Sequence, residues 1–405
     1  MNLKAILFSF LVTFYFIGPV SAQKKIKSNQ QIPVLGWHSI PANEATVERY
    51  VEMRNAGFTL SFPPSSSVVD VEMQLDIAQK VGMKLIIACP ELQSDTENTV
   101  RRFMNHPALA GYHLKDEPTR NDFPALTEWA KKINAIDNKH FCYINLLPNY
   151  ASPEQLGTKT YRDYVQTFLD EVPVPFLSFD HYPIQINKDG IRTVNSNWYE
   201  NLEIISDEAS RNRIPFWAFA LTTSHWGYPV PTLEDLRLQV YSNLAYGAQV
   251  IQDFTYWTPW EPFKDGPIAL DCTRSIVYER AKTINEEIKK LSGVFLGAKV
   301  VSIAHTGNSI PAGTRHLGEL PSPIKSLETK GEGAIVSLME KDKNRFLVIV
   351  NRDIQKSMQL NIQGNSKIKR VLKDGSLVPG NIAALSSFEV TPGDVAIFTW
   401  KKTVH

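Results

Sequence analysis

Residues 83–118 read MKLIIACPELQSDTENTVRRFMNHPALAGYHLKDEP, and this stretch contains one complete unit of the predicted fold. It holds an apolar run rich in β-forming residues (83–89), an amphipathic helical stretch (96–105) and a second apolar run (108–115). Short apolar runs that alternate with helical stretches predict βαβ units with parallel strands. Both runs end in polar residues and proline, CPE after the first and KDEP after the second.

The same alternation extends over residues 33–291. The apolar runs predict eight strands, at 33–40, 57–62, 83–89, 108–115, 140–146, 175–182, 215–222 and 248–257. Helical patterns follow them at 43–55, 68–80, 96–105, 122–136, 160–171, 197–211, 232–245 and 273–291. Eight such units predict an α/β fold, either a doubly wound open sheet or a closed (β/α)8 TIM barrel.

The loops after the predicted strands favour the barrel. No GxGxxG or Walker-type loop, which would indicate a nucleotide site in a doubly wound sheet, follows any strand. The strands end instead in polar, aromatic and proline residues, as in FPP, LLPN, DHYP and TPWEP. A ring of such loops at the carboxyl ends of the strands is typical of a barrel active site. We therefore predict a TIM barrel as the catalytic domain, residues 33–291.

Beyond Leu291 the pattern changes to one of period two. Segments such as AIVSLME, RFLVIVNRD and DVAIFTW alternate apolar and polar residues, and turn residues separate them. No helical pattern interrupts this region. It predicts a small C-terminal antiparallel β-sandwich domain, residues 292–405.

The first 22 residues have the pattern of a secretory signal peptide. Lys4 supplies a positive charge, residues 5–18 are apolar but too short to span a membrane, and Val20-Ser21-Ala22 offers small residues for cleavage. A membrane anchor or a buried helix is the alternative interpretation. We expect cleavage near Ala22, a secreted or periplasmic protein that begins with a lead-in at 23–32, and no transmembrane segment in the mature chain.

Charge and cysteine content exclude several functional classes. The chain has 43 Lys and Arg against 42 Asp and Glu, whereas nucleic-acid binding needs a basic surplus, so no nucleic-acid partner is expected. Cys89, Cys142 and Cys272 are too few for a disulfide framework and lack metal-ligand spacing. No metal and no cofactor is predicted, and the sequence does not indicate an oligomeric state.

Barrel active sites lie at the carboxyl ends of the strands, so the side chains there indicate the chemistry. Carboxylates can act as acid, base or nucleophile at a glycosidic bond, aromatic rings stack on sugars, and amide and imidazole groups bind hydroxyls. We predict an oligosaccharide or polysaccharide substrate. The candidate catalytic residues are Asp116, Glu117, Asp180 and Glu261. The candidate substrate-binding residues are Trp37, His38, Lys115, Asn145, His181, Tyr182, His225, Trp226, Gln252, Tyr256, Trp257 and Trp260. Any single aromatic ring among them could belong to the barrel core instead.

Residues 111–118, GYHLKDEP, resemble the strand-4 motif of the retaining glycoside hydrolases of clan A. In that motif a Glu followed by Pro ends the strand and acts as general acid/base. The region 33–290 also looks like those barrels, and the sequence is similar to secreted glycoside hydrolases of the Bacteroidetes type. The resemblance implies that Glu117 is the acid/base; the alternative is a structural carboxylate that caps the next helix.

Two positions depart from that pattern. Asp116 stands where clan A enzymes usually have Asn, and residues 215–226, PFWAFALTTSHW, lack the usual strand-7 nucleophile Glu. Three interpretations remain. Asp116 could orient a substrate acetamido group, as in the hexosaminidase families that use substrate-assisted catalysis. Asp180 or Glu261 could be the partner carboxylate. Alternatively, the barrel could be a non-catalytic glycan-binding protein. A weaker alternative is a sugar lyase or isomerase that uses His181 or His225 as base.

Strand geometry constrains these roles. Neighbouring residues of a strand face opposite sides, so Asp116 and Glu117 can both reach the barrel interior only if the strand ends there, which Pro118 favours. The same alternation predicts that Lys115 lies on the side of Glu117. A cation beside Glu117 would favour its charged form and oppose a role as acid.

Overall fold

The computed structural model describes residues 25–26, 28, 30–365, 367–379 and 387–402. The apolar segment on which the signal-peptide prediction depends lies outside the described residues. Among the described helices, none combines the length and apolar character needed to cross a membrane.

Eight parallel strands form the inner layer of the first part of the chain. They are β1 (Val34–Trp37), β2 (Leu60–Phe62), β3 (Lys84–Ile87), β4 (Leu109–Asp116), β5 (Phe141–Asn145), β6 (Leu177–Phe179), β9 (Phe216–Leu221) and β10 (Val250–Phe254). Between β6 and β9 the chain forms a separate hairpin of β7 (Ile184–Ile186) and β8 (Arg192–Val194). The sheet order is β5-β4-β3-β2-β1-β10-β9-β6. This is the order that consecutive strand–helix units produce around a barrel, and it confirms the parallel barrel prediction.

The barrel is nearly closed between its two edge strands. One parallel bridge joins Leu146, just beyond β5, to Phe179 in β6. The Leu146 N–H donates to the Ser178 carbonyl oxygen at 2.8 Å. We call this narrow junction the seam.

Helices surround the strands, and each segment that was predicted to be helical contains a helix. They are α1 (Val47–Asn55), α2 (Val68–Val81), α3 (Pro90–Ser94), α4 (Thr96–Phe103), α5 (Phe123–Ile136), α6 (Pro153–Leu156), α7 (Tyr161–Glu171), α8 (Asn197–Asn212), α9 (Leu233–Tyr246), α10 (Ile276–Lys290) and α11 (Ser292–Phe295). Single-turn 3-10 helices occupy Ala42–Glu44 and Arg120–Asp122.

Hydroxyl side chains determine where several of these helices begin. Thr46, Ser67, Thr160 and Thr232 each accept a hydrogen bond from the backbone N–H three residues further on. Each bond satisfies a helix N–H that has no partner within the helix and contributes about 1 kcal/mol. Gly82, with φ of +70°, ends α2 in the left-handed conformation and turns the chain toward β3.

Large aromatic rings fill the lower part of the barrel. Phe176 stacks on Trp217 with ring centroids 3.9 Å apart and planes 2° apart. Phe141 and Tyr143 pack against the same indole ring, at 5.3 and 5.7 Å. Burying each such ring stabilises the fold by roughly 1.5–3 kcal/mol. Polar side chains lie above this layer, toward the carboxyl ends of the strands.

The last part of the chain forms two antiparallel sheets. The strands are β11 (Lys299–Thr306), β12 (Ile324–Glu328), β13 (Ala334–Lys341), β14 (Asn344–Asn351), β15 (Met358–Gly364), β16 (Lys369–Val371), β17 (Leu377–Pro379), β18 (Phe388–Val390) and β19 (Val395–Lys401). Six form one sheet, in the order β11-β13-β14-β19-β16-β17, and β12-β15-β18 form the other. Residues of both sheets share one apolar cluster. The predicted antiparallel region is confirmed, while the sandwich arrangement and the domain boundaries stay predictions.

The six-stranded sheet packs against α9 of the barrel. Ser337 donates a hydrogen bond to the Ala245 carbonyl at 2.7 Å, and the Tyr246 hydroxyl lies 2.7 Å from Nε2 of the buried His305. Arg315 forms an ion pair with Glu203 of α8 at 2.6 Å.

Candidate active site

A β-bulge re-aims the side chains at the end of β4. His113 pairs with Tyr143 and Lys115 with Ile144, so one extra residue lies between them on β4. His113 points into the barrel, where its ring lies 5.4 Å from that of Trp37. Because the bulge shifts the alternation, Asp116 also points inward. Lys115 points outward instead, and its Nζ lies 3.9 Å from Asp122 Oδ1 at the surface. The prediction that Lys115 lies beside Glu117 is therefore wrong.

Glu117 leaves the strand through an uncommon backbone conformation. Its φ is +47°, in the left-handed region, and its N–H donates to the Asn145 carbonyl at 2.8 Å. The strand thus ends at Asp116, as Pro118 favours, and two consecutive carboxylates reach the barrel mouth. Solvent reaches both side chains, but the concave mouth surrounds them with protein atoms. Partial burial, and secondly the charge of Asp116, raise the pKa of Glu117 to about 6.

Asn145 joins Asp116 to Asp180. Its Nδ2 lies 3.1 Å from Asp116 Oδ1 and 3.1 Å from Asp180 Oδ1, so one amide group donates to carboxylates from two strand ends. The Ser178 hydroxyl donates to Asn145 Oδ1 at 2.8 Å. This orientation of the amide follows from its partners, because carboxylate oxygens accept hydrogen bonds and would repel Oδ1.

A buried polar network supports Asn145 from below. The Tyr143 hydroxyl donates to Gln252 Oε1 at 2.6 Å, and Gln252 Nε2 donates to Ser178 Oγ at 2.9 Å. Gln252 is fully buried. It was predicted to bind substrate, but its side-chain oxygen and nitrogen both face neighbouring protein groups. It lies inside the barrel because β10 alternates inward at 250, 252 and 254.

Burial and mutual repulsion govern the ionisation of the carboxylates at the mouth. Burial raises the pKa of Asp180 well above its usual range, and the charges of Glu117 and then Asp116 raise it further. Burial also raises the pKa of Asp116. The hydrogen bond from Asn145 opposes both shifts. Among the described residues, no Lys or Arg forms an ion pair with any of the three, so like charges are left to repel.

Aromatic and imidazole side chains form one wall of the mouth. The Tyr182 ring lies 5.9 Å from Tyr228 and 6.4 Å from His225. Tyr150 packs on His181 at 4.9 Å. Burial, followed by the neighbouring Tyr228 and the charges of Asp180 and Glu117, raises the pKa of Tyr150. Tyr182 follows Asp180 by two residues and Tyr150 packs on the intervening His181, so both rings lie on the side of the mouth that holds Asp180.

The two imidazoles of this wall are held neutral by burial. His181 Nδ1 lies 3.1 Å from Asn201 Oδ1, and burial lowers the pKa of His181 to about 4. His225 Nδ1 lies 3.1 Å from the Thr223 carbonyl, and burial lowers its pKa as well. Both side chains are buried, and Nε2 of His181 has no hydrogen-bond partner among the described residues.

Trp226, Phe263 and Trp260 form an exposed aromatic shelf beyond this wall. Phe263 lies between the two indoles, 5.6 Å from Trp226 and 6.1 Å from Trp260. His38 packs edge-on to Trp260 at 5.7 Å. Burial lowers the pKa of His38 to about 4.

Four predicted site residues contact other groups of the protein. Trp37 is buried in the barrel interior against Phe62, His113, Tyr143 and Phe219. Tyr256 is fully buried against Phe58, and Trp257 is buried beneath the guanidinium of Arg49. Tyr256 and Trp257 are buried because the chain beyond β10 continues to pair with the end of β1. The Tyr256 N–H donates to the Trp37 carbonyl oxygen at 3.0 Å. Glu261 is exposed and pairs with Lys264 at 3.6 Å.

The structure adds site residues that sequence reasoning missed. Tyr143 and Ser178 form the network under Asn145, and Tyr150, Tyr228 and Phe263 line the mouth. Period two along the strand at 178, 180 and 182 was a usable signal for Ser178. Tyr150, Tyr228 and Phe263 lie in loops, where no periodicity indicates direction.

A cavity of about 760 Å³ lies at the opposite end of the barrel. Phe141, Phe176 and Trp217 line it, together with Pro173 and Pro215. It contains none of the carboxylates described above. Since barrel chemistry occurs at the carboxyl ends of the strands, its size does not make it the active site.

Comparisons with known proteins establish the fold. No model of a protein family matches the chain, and no curated protein matches it in sequence. Many of the solved structures that resemble it are named glycoside hydrolases. An α-amylase from Anoxybacillus is 10% identical, with a TM-score of 0.51 over 93% of this chain and 98% of that one.

Two further similar structures have lower scores. A glucosidase from Croceicoccus marinus is 12% identical, with a TM-score of 0.45 over 95% of this chain and 98% of that one. An α-L-arabinofuranosidase from Thermotoga maritima is 10% identical, with a TM-score of 0.46 over 87% and 89%. At such identities the likeness concerns architecture alone: this chain has a nearly closed eight-stranded parallel barrel followed by antiparallel sheets.

Proposed function

We propose that this protein is a glycoside hydrolase in which Glu117 donates a proton to the leaving oxygen. The observation that carries the proposal is the Asp116–Asn145–Asp180 bridge beside Glu117, at the end of the barrel where catalysis occurs. Glycosidic hydrolysis needs one carboxyl group that is protonated and another that is ionised. Two carboxyl groups meet this need when their surroundings shift their pKa values apart.

The surroundings of Glu117 suit a general acid. Its raised pKa of about 6 keeps a proton available in weakly acidic solution. Its side chain receives no hydrogen bond from Asn145, whereas Asp116 and Asp180 both do. A donor such as Asn145 stabilises the ionised form of a carboxylate and so opposes the burial that raises the pKa of both aspartates. The proposal assigns the negative charge to the aspartates because of this bond.

Asp180 is the proposed partner, acting as nucleophile or as base toward water. Asn145 links the two groups, because its Nδ2 donates to Asp180 Oδ1 at 3.1 Å and its carbonyl accepts from the Glu117 N–H at 2.8 Å. Glu261 is less suited, because it is exposed and paired with Lys264. Asp116 shares the same donor, so substrate-assisted catalysis is the alternative mechanism within the same reaction. It would require a substrate with an acetamido group next to the bond that is cleaved.

The proposal extends to compartment and domain organisation. We propose export of the chain with removal of residues 1–22, catalysis by residues 33–291, and an accessory role for residues 292–405. N-terminal sequencing of the protein recovered from the producing cell tests the first point. A mature N-terminus near Gln23 is the expected result, and retention of Met1 would contradict it.

Replacing Glu117 by Gln tests the central assignment. The change keeps the size of the side chain but removes the proton that it donates. We expect it to abolish nearly all hydrolysis of unactivated glycosides while substrate binding persists. Aryl glycosides with a good leaving group need less protonation, so their hydrolysis should be far less affected.

Glu261→Gln is the matched control, since it alters a second Glu at the same end of the barrel. We expect the rate of this variant to equal that of the wild type. An unaltered rate for Glu117→Gln would overturn the assignment. Absence of any glycoside turnover by the wild type would instead favour a glycan-binding protein.

A further inference from the structure

The aromatic shelf of Trp226, Phe263 and Trp260 is exposed far beyond what folding requires. Trp226 is 78% exposed and Trp260 is 63% exposed. Large aromatic side chains normally contribute to stability through burial, which these two indoles largely forgo. Adjoining exposed rings at the rim of a cleft mark a binding surface.

Backbone hydrogen bonds connect the two loops that carry the shelf. Its two loops pair with each other, because Ser224 and Lys264 exchange backbone hydrogen bonds of 2.8 and 2.9 Å. The Phe263 N–H donates to the Trp260 carbonyl at 2.8 Å. A surface fixed in this way loses little conformational entropy on binding.

The backbone at Trp226 gives a second and independent reason to infer a ligand. His225 and Tyr228 exchange backbone hydrogen bonds of 2.7 and 3.2 Å, so Trp226 and Gly227 form a two-residue turn. Trp226 has a φ of +43°. Turns of this kind favour Asn or Gly at that position, and a bulky residue there strains the backbone. Because the Trp226 ring is mostly exposed, its burial does not offset this strain, which points to a role outside folding.

The surroundings of the shelf favour a sugar chain over other partners. The wall formed by Tyr182, Tyr228 and His225 connects the shelf to the carboxylates, so one ligand can contact both. The neighbouring charges of Glu261 and Lys264 compensate each other. No surplus of positive charge is therefore available at this point for nucleic acid or anionic lipid. The C–H bonds on the faces of pyranose rings complement the negative face of an indole.

We propose that the aromatic shelf binds sugar rings of a neutral polysaccharide that extends outward from the barrel mouth. The link to hydrolysis rests on the proposed function, but binding by the shelf does not. The shelf then makes the protein selective for chains longer than the sugars held at the carboxylates. A short aryl glycoside would not reach it.

Affinity electrophoresis of the full-length Glu117→Gln protein tests this proposal without digestion of the probes. The probes are hydroxyethyl cellulose, xylan, galactomannan, arabinogalactan and soluble starch, each cast in a native gel. Trp226→Asn and Trp260→Ala are compared with Met73→Ala, which removes exposed apolar surface on α2, outside the shelf. We expect at least one probe to retard the parent and the Met73 variant. Each shelf variant should bind that probe about tenfold more weakly, corresponding to ~1.4 kcal/mol.

Thermal unfolding of the same variants distinguishes a binding role of the shelf from a structural one, because a structural role would lower the unfolding temperature. Trp226→Asn should unfold at the same or a higher temperature than the parent, because Asn suits the turn. Loss of binding together with a lower unfolding temperature would contradict the proposal. So would absence of retardation by every probe, or a change in sedimentation that assigns the shelf to a second copy of the chain.

The shelf and the proposed function can fail separately. Retained hydrolysis in Glu117→Gln would remove the catalytic assignment and leave the shelf result intact. In contrast, an essential Glu117 combined with an unchanged KM for long chains in the shelf variants would remove only the shelf proposal.

Discussion

At the scale of single residues, the neighbours of Glu117 set the expected pH dependence. Burial and the charge of Asp116 raise the pKa of Glu117 to about 6. Below that pH the carboxyl group holds its proton and can donate it. As pH rises through that value the proton is lost, so kcat/KM of the proposed reaction should decline on the basic side.

Replacing Asp116 by Asn removes one cause of that raised pKa. The variant should therefore lose its activity at lower pH than the wild type, with the basic limb of kcat/KM displaced by up to about one unit. The measurement is a pH profile on one substrate. Asp122→Asn removes an equal charge beside Lys115, outside the mouth, and should leave the profile unchanged. A basic limb at the same pH in Asp116→Asn would show that Asp116 does not influence the acid.

Asn145 is the second residue whose loss has a directional effect. Asn145→Ala removes a hydrogen bond from two carboxylates, so their pKa values should rise and the partner should need a higher pH to ionise. We expect the acidic limb of kcat/KM to move up in pH and the maximum to fall roughly 10- to 100-fold, as for hydrogen bonds of about 1.5–3 kcal/mol to charged groups.

Ser178→Ala is the comparison for Asn145→Ala, since it removes the support of the amide but leaves Asn145 able to donate to both carboxylates; it also removes the acceptor of Gln252 Nε2. The fall in kcat/KM should be smaller than in Asn145→Ala, and the acidic limb should be displaced less. A uniform fall in rate with an unmoved profile would mean that Asn145 acts on the fold alone.

At the scale of elements, β4 separates what sequence can predict from what it cannot. The apolar run at 108–115 and its Pro118 end predicted a strand with carboxylates at its tip, and the strand is Leu109–Asp116. The sequence could not predict the bulge between His113 and Lys115, because a bulge is a property of pairing with β5. That single extra residue turns Lys115 away from Glu117.

Lys115→Met tests this consequence of the bulge. Because Lys115 points outward, its loss should leave the pH profile in place and change kcat/KM by less than about twofold. On an unbulged strand Lys115 would lie beside Glu117, and removing its charge would raise the pKa of the acid. A basic limb shifted to higher pH in Lys115→Met would therefore contradict the bulge.

The other elements follow the same division. Long amphipathic helices and buried parallel strands were predictable, because hydrophobic periodicity reflects which side is buried. The hairpin of β7 and β8 was missed, since its strands have three residues each. Tyr256 and Trp257 were misplaced because strand-end rules do not reveal that the following segment stays bonded to β1. Gly36 admits Tyr256 there, since a Cβ on Gly36 would lie 3.0 Å from Tyr256 Cβ.

At the scale of the whole molecule, α9 connects the barrel to the C-terminal sheets. Its residues from Leu238 to Tyr246 are buried without interruption, which is unusual for a helix on the outside of a barrel. One side packs on β9, and the six-stranded sheet covers the other. The two parts of the chain therefore share a buried helix rather than a surface contact.

Truncation after residue 291 should consequently destabilise the barrel. Removing the C-terminal sheets would expose the outer side of α9 and leave Tyr246 without His305. We expect the truncated protein to aggregate or to unfold at a clearly lower temperature than the full chain. Calorimetry and light scattering would measure this. A truncated barrel with the unfolding temperature of the full chain would show that α9 needs no cover.

The seam between β5 and β6 has a mechanical consequence for the site. Among the residues that the structure describes, Leu146 and Phe179 alone form a backbone bridge across the seam, while Asn145 and Ser178, each next to one of them, are joined by side chains. The Asn145 amide that donates to both aspartates therefore also links β5 to β6, where the backbone pairing of the barrel is weakest. An opening of the seam would separate Asp116 from Asp180, so the spacing of these carboxylates depends on the seam remaining closed.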